Sequence, residues 1–149
     1  MAIWQLTTFL VPKEWWQENP TIESLHGSSG YFESSKIWSK FQPDTCIRKI
    51  FESTLGETGT LHWESKNGSD YDIDENENGS IDSVRIRIDA RVYSEGELKR
   101  ILALVGISEC VLYVPEFSSV IESSANSLNI LNQFVSRSKA VEWCRRNPT

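Results

Sequence analysis

Residues 83–93, SVRIRIDARVY, decide the fold. Val84, Ile86, Ile88, Ala90 and Val92 fall on one side of an extended chain, and Arg85, Arg87, Asp89 and Arg91 on the other. Strict period-two alternation of this length predicts a strand with one face in a core and one face turned to water.

The neighbours of this strand extend the pattern. Upstream, residues 59–65 (GTLHWES) predict a shorter strand, with Leu61 and Trp63 on one face and His62 and Glu64 on the other. Between the two lies KNGSDYDIDENENGS at 66–80, rich in Asp, Asn, Gly and Ser, which predicts a solvated loop. The expected arrangement is an antiparallel hairpin that pairs 60–65 with 83–92 and lifts the acidic loop off one end of the sheet. Downstream, Ser94 and Glu97 have the S-x-x-E spacing of a capping box, and Leu98, Ile101, Leu102 and Val105 give the apolar stripe of a helix that stops at Gly106. CVLYV at 110–114 predicts a buried strand ended by Pro115. Ser119 and Glu122 repeat the capping spacing before a second helix to about residue 135, and Ser138 opens a last one.

The N-terminal third is read the same way. IWQLTTFLV at 3–11 predicts a strand ended by Pro12, and KEWWQE at 13–18 a short helical turn. Residues 19–30 predict a loop, residues 31–41 an element of ambiguous type, and residues 44–55 a helix with Pro43 and Asp44 at its start and Gly56 at its stop. The class is therefore α+β: one domain over residues 1–149, with an antiparallel or mixed sheet of about four strands and helices packed on one face.

Composition bounds the function. With 39% hydrophobic and 24% charged residues, the chain can bury a core without a metal or disulfide. Cys46, Cys110 and Cys144 are odd in number and match no zinc spacing, which predicts buried free thiols. The opening MAIWQLTTFLVP has no basic stretch before its apolar residues, and no window is apolar enough for a membrane span. Both point to a cytoplasmic protein. A net charge of −6 disfavours nucleic acid and anionic membranes and favours a basic protein partner.

Chemical motifs are sparse. His26 and His62 stand in separate segments, no nucleophile elbow or phosphate-binding loop exists, and neither a catalytic residue nor a cofactor is implied. Asp74, Asn76, Asn78, Gly79, Ile81 and Asp82 follow the first nine positions of a calcium loop of the EF-hand type. The twelfth position, which needs a bidentate Glu, is Arg85, and the plainer reading is a solvated turn with no metal. Asp70, Asp72, Asp74, Glu75, Glu77 and Asp82 form the one acidic concentration and the first choice for a partner-binding surface. Trp15 and Trp16, adjacent among six tryptophans, are the first choice for apolar anchors. An alternative ligand site would use Arg85, Arg87, Arg91 and His62, whose plainer reading is a solvated face stabilised by cross-strand pairs.

From Val84 onward the chain resembles small bacterial proteins of the toxin-immunity type. The likeness rests on RIDAR at 87–91, the capped helix, the strand CVLYV and the terminal SKAVEWCRRNP at 138–148. It covers under half of the chain, and its motifs are structural. It implies a cytoplasmic inhibitor of a secreted toxin and assigns no functional residue.

Overall fold

A computed structural model describes residues 2–43, 46–64 and 68–148. The chain folds as α+β, with a six-stranded sheet in which every pairing is antiparallel. The strands are β1 (Gln5–Pro12), β2 (His62–Glu64), β3 (Asp70–Glu75), β4 (Ile81–Asp89), β5 (Cys110–Val114) and β6 (Ser119–Ile121), in the spatial order β2-β3-β4-β1-β5-β6. The helices are α1 (Lys13–Glu18), α2 (Ser34–Lys40), α3 (Ile47–Leu55), α4 (Glu95–Ile107), α5 (Ser127–Arg137) and α6 (Lys139–Arg146). No helix among the described residues is long and apolar enough to cross a membrane.

The decisive strand behaves as its alternation predicts. Val84, Ile86 and Ile88 are fully buried, while Arg85 and Arg87 turn the other way. Regular pairing stops at Asp89, however, so Arg91 and Val92 lie beyond the strand, and Val92 is exposed. The count of about four strands needs correction, because the segment read as an acidic loop is itself a strand. Tyr71 and Ile73 alternate with Asp70, Asp72 and Asp74, which buries the first pair and turns the acids outward. β4 consequently pairs with β3, and β3 with β2, so β2 does not pair directly with β4 as the predicted hairpin of 60–65 with 83–92 requires. Asn76–Ser80 remains a turn. The backbone N–H of Asn76 donates to Ser80 O at 2.8 Å, and Gly79 takes the left-handed φ of 79° that the turn requires. The sixth strand, β6, occupies the place expected for a capped helix start at Ser119, and α5 begins instead at Ser127.

Helices cover both faces, not one. On the first face, Leu10, Val84, Ile86, Leu112 and Val114 pack under Phe51 of α3, Leu98 and Ile101 of α4, Leu131 and Val135 of α5, and Val141 of α6. The opposite face holds a smaller cluster, in which Val11, Val111 and Tyr113 pack with Trp15, Leu25 and Ile37. In α2, Ile37 enters this second cluster and the adjacent Trp38 the first, so the short helix closes one end of the sheet. The second cluster reaches only as far as Phe9 of β1.

Of the cysteines, Cys110 is buried, as the sequence predicts, and burial pushes its thiol pKa up. Cys46 is exposed and Cys144 half-buried, contrary to that expectation. Asp44, read as part of a helix start, lies outside the described residues, as do Ser65, Lys66 and Asn67.

Candidate functional site

Beyond Phe9 the second face is open. Its side chains come from β2, β3, β4 and the first half of β1, and cross-strand register sets them in rows. Asp70 pairs with Glu64 on one side and Arg87 on the other, and Arg87 continues to Thr7. In the next row Asp72 lies between His62 and Arg85, and Arg85 continues to Phe9. A third row holds Asp74 and Ser83.

The charges in these rows are already matched. Arg87 Nε donates to Asp70 Oδ1 at 2.6 Å, and Gln5 Nε2 donates to Asp70 Oδ2 at 2.8 Å. Arg85 Nη2 donates to Asp72 Oδ2 at 2.9 Å, while His62 Nδ1 lies 2.5 Å from Asp72 Oδ1. His62 Nε2 lies 3.2 Å from Glu64 Oε1, so the imidazole bridges two carboxylates. The hydrogen bond to Asp72 holds the His62 pKa above its ordinary value, against a smaller opposing effect of burial. For Asp72, burial pushes the carboxyl up, but hydrogen bonds from Arg85 and His62 outweigh it and hold the pKa below the usual carboxylate range.

The structure divides the predicted acidic cluster. Asp70 and Asp72 belong to this paired ledge and are not free for a partner. Asp74, Glu75 and Glu77 are exposed at the end of the β3–β4 hairpin, and Asp82 is half-buried beside them. Asp74 accepts from Ser83 Oγ at 3.0 Å, and Glu75 feels Arg48 at longer range. The calcium-like spacing serves the turn itself. Asn76 Oδ1 accepts from the backbone N–H groups of Asn78 and Ser80, at 2.9 and 3.2 Å. Among the described residues no three His, Cys, Asp or Glu side chains gather in a metal-binding arrangement.

The remaining candidates separate. Arg91 leaves the ledge to clasp the buried Asp89 through Nε (3.0 Å) and Nη2 (2.7 Å), and its guanidinium lies 4.2 Å from the centre of the Trp4 ring. Gly68 makes room for that pair, since a Cβ there would stand 2.4 Å from Asp89 Oδ2. Trp15 is no surface anchor: it is buried in the second cluster, edge-on to Phe41 at 5.9 Å. Trp16 is half-buried against the same cluster. His26, given no role by the sequence, contacts the Tyr113 hydroxyl through Nε2 at 3.1 Å.

Sequence reasoning missed two features. The first is a buried network on the other side of β3, where Tyr71 Oη donates to Glu97 Oε1 at 2.5 Å and Arg100 Nη2 to Glu97 Oε2 at 2.7 Å. The Glu97 side chain is 1% exposed. Burial and the neighbouring carboxylate push the Tyr71 hydroxyl pKa up. The signal for this network was the i, i+3 spacing of Glu97 and Arg100. The second feature is Tyr31, the most exposed of the large hydrophobic side chains.

The clefts of the molecule lie elsewhere. One of about 340 Å³ runs beside α1 and is lined by Lys13, Gln17, Phe41 and Glu109, and a neighbouring one of about 390 Å³ reaches Cys110 and Glu122. Neither is lined by His62, Asp72, Arg85 or Arg87. The polar face is therefore a charge-matched ledge ending in exposed acids, apart from these two clefts. Compared with protein-family models, with curated proteins and with solved structures, the chain matches none.

Proposed function

We propose that this chain is a protein-binding domain, specifically an immunity-type inhibitor that neutralises a bacterial toxin in the cytoplasm by capturing a basic surface of it. One observation carries the reading. Asp74, Glu75 and Glu77 stand exposed at the hairpin tip, while the acids nearer the middle of the same sheet are consumed by arginines. Exposed carboxylates at the end of a hairpin attract a cationic partner at long range. A flat neighbouring ledge gives that partner a surface to settle on. The overall charge of −6 and the C-terminal likeness to immunity-type proteins support the same partner class.

The test is co-expression with the protein encoded next to this chain in its genome. The expected result is that the neighbour arrests growth of a bacterial host when expressed alone, that this chain restores growth, and that the two co-purify in equal amounts. A neighbour that is harmless, or one that stays toxic and does not co-purify, would overturn the reading.

A further inference from the structure

The loop over residues 26–33 holds an aromatic side chain in solvent on a hydrogen-bonded backbone. Tyr31 is 78% exposed. The loop beneath it is fixed at several points. The Gly27 N–H donates to Tyr31 O at 3.0 Å, Gly30 donates to Gly27 O at 3.0 Å, and Glu33 donates to Leu25 O at 2.9 Å. His26 and Phe32 bridge each other across the loop. The Phe32 ring then locks the loop to the sheet, 4.7 Å from Phe9 and 5.1 Å from Tyr113. Tyr31 therefore loses little backbone freedom on contact with a partner, the circumstance in which an exposed tyrosine contributes most to binding.

The place of the loop matters as much as its rigidity. Phe9 is the cross-strand partner of Arg85, so the Phe9–Phe32 contact forms the border of the open ledge. Asp74 lies on β3, two strands from Phe9, which at about 4.8 Å per strand is roughly 10 Å across the sheet. The aromatic loop and the acidic tip thus fall within the footprint of one interface of ordinary size, about 800 Å² on each partner. Charge adds to the argument. The Glu33 carboxylate is tucked against Gly27 at the base of the loop, where a Cβ on Gly27 would stand 2.2 Å from its Oε2. A carboxylate in the same loop as an exposed aromatic ring suits a guanidinium whose alkyl stem packs on that ring.

We infer that Tyr31 is the apolar anchor of the proposed binding face and that it receives an arginine-bearing, partly apolar segment of the basic partner. The inference rests on the proposed function and names the contact that function would use. The probe is a peptide of alternating arginine and leucine, titrated by calorimetry and by amide chemical shifts, with a glutamate–leucine peptide as control. The expected result is that the basic peptide alone shifts residues 26–33 and 70–77 together. Tyr31→Ala should weaken its binding about tenfold, Tyr31→Phe should retain most of it, and both variants should keep the parent melting temperature. If Tyr31→Ala binds as the parent does while Ser replacement of Asp74, Glu75 and Glu77 weakens binding, the anchor is wrong and the acidic face stands. If the parent itself does not bind the basic peptide, the basic-partner reading and the anchor both fall.

Discussion

The two sides of β3 carry two polar networks built from the same kinds of group and put to opposite uses. On the inner side Tyr71 and Arg100 both donate to the Glu97 carboxylate, which is removed from water. On the outer side Asp70 and Asp72 are shared among Gln5, His62, Arg85 and Arg87 in a ledge that is buried at Asp70 and more exposed toward Arg85 and His62. A buried charge is costly once its partner is removed, whereas an exposed pair contributes little and is screened by salt. The inner network thus belongs to stability. The outer one sets the charge pattern of a surface, most loosely at the Arg85–Asp72 pair.

Removing the inner cation should give the largest effect. Arg100→Ala leaves the Glu97 carboxylate buried beside a hydroxyl, and about 2–3 kcal/mol of unfolding free energy should be lost. This is somewhat below the cost of breaking a fully buried pair, because the guanidinium itself is about a third exposed. Urea denaturation measures it, and a loss below about 0.5 kcal/mol would erase the contrast between the two networks. Arg85→Ala is the matching change outside. Its side chain is 38% exposed and the Asp72 carboxylate keeps His62, so the loss should stay under about 1 kcal/mol in the same titration.

The smallest effect is one of pH. His62 titrates above its ordinary value because Asp72 accepts its hydrogen bond. The stabilisation is therefore complete below the unfolded pKa of about 6.5 and is lost as pH rises through the raised folded value. Asp72 titrates below its ordinary value, so its share is present above about pH 4 and is lost as pH falls through the lowered folded value. The pair should contribute most between those limits. His62→Gln should flatten the decline of stability above pH 6.5, with a NMR titration of the His62 ring protons in the parent chain locating the raised pKa.

Much of this was legible in the chain, and the failures have a common physical cause. The alternation at 84–88 gave β4 and its buried face, and Ser94 caps α4 by accepting from the Glu97 N–H, as its spacing predicts. Ser138 likewise caps α6 by accepting from the Val141 N–H. β3 was hidden because composition outweighed period. DYDIDE contains four acids and reads as a solvated loop, although Tyr71 and Ile73 keep the same alternation that identified β4. What allows such a strand is three-dimensional, since the acids face Arg85 and Arg87 across the pairing, and sequence spacing does not report which strands become neighbours. Trp15 failed as an anchor for the converse reason: an adjacent tryptophan pair on one short helix cannot turn both rings to solvent when the sheet beside it needs covering. The acidic run was legible as composition, but not its division into arginine-paired Asp70 and Asp72 and exposed Asp74, Glu75 and Glu77, and the Tyr31 loop was passed over because its ring contacts come from Phe9 and Tyr113, far away in the chain.

Recruitment of a basic protein by the exposed acids of the hairpin, as proposed, would show in association kinetics. The rate at which this chain associates with the protein encoded beside it should be measured over a range of salt, for the parent and for the variant carrying Asp74→Ser, Glu75→Ser and Glu77→Ser. The account predicts that the variant associates about tenfold or more slowly at low ionic strength, that the two rates converge at high salt, and that stability is unchanged. Identical association rates at every salt concentration would contradict it.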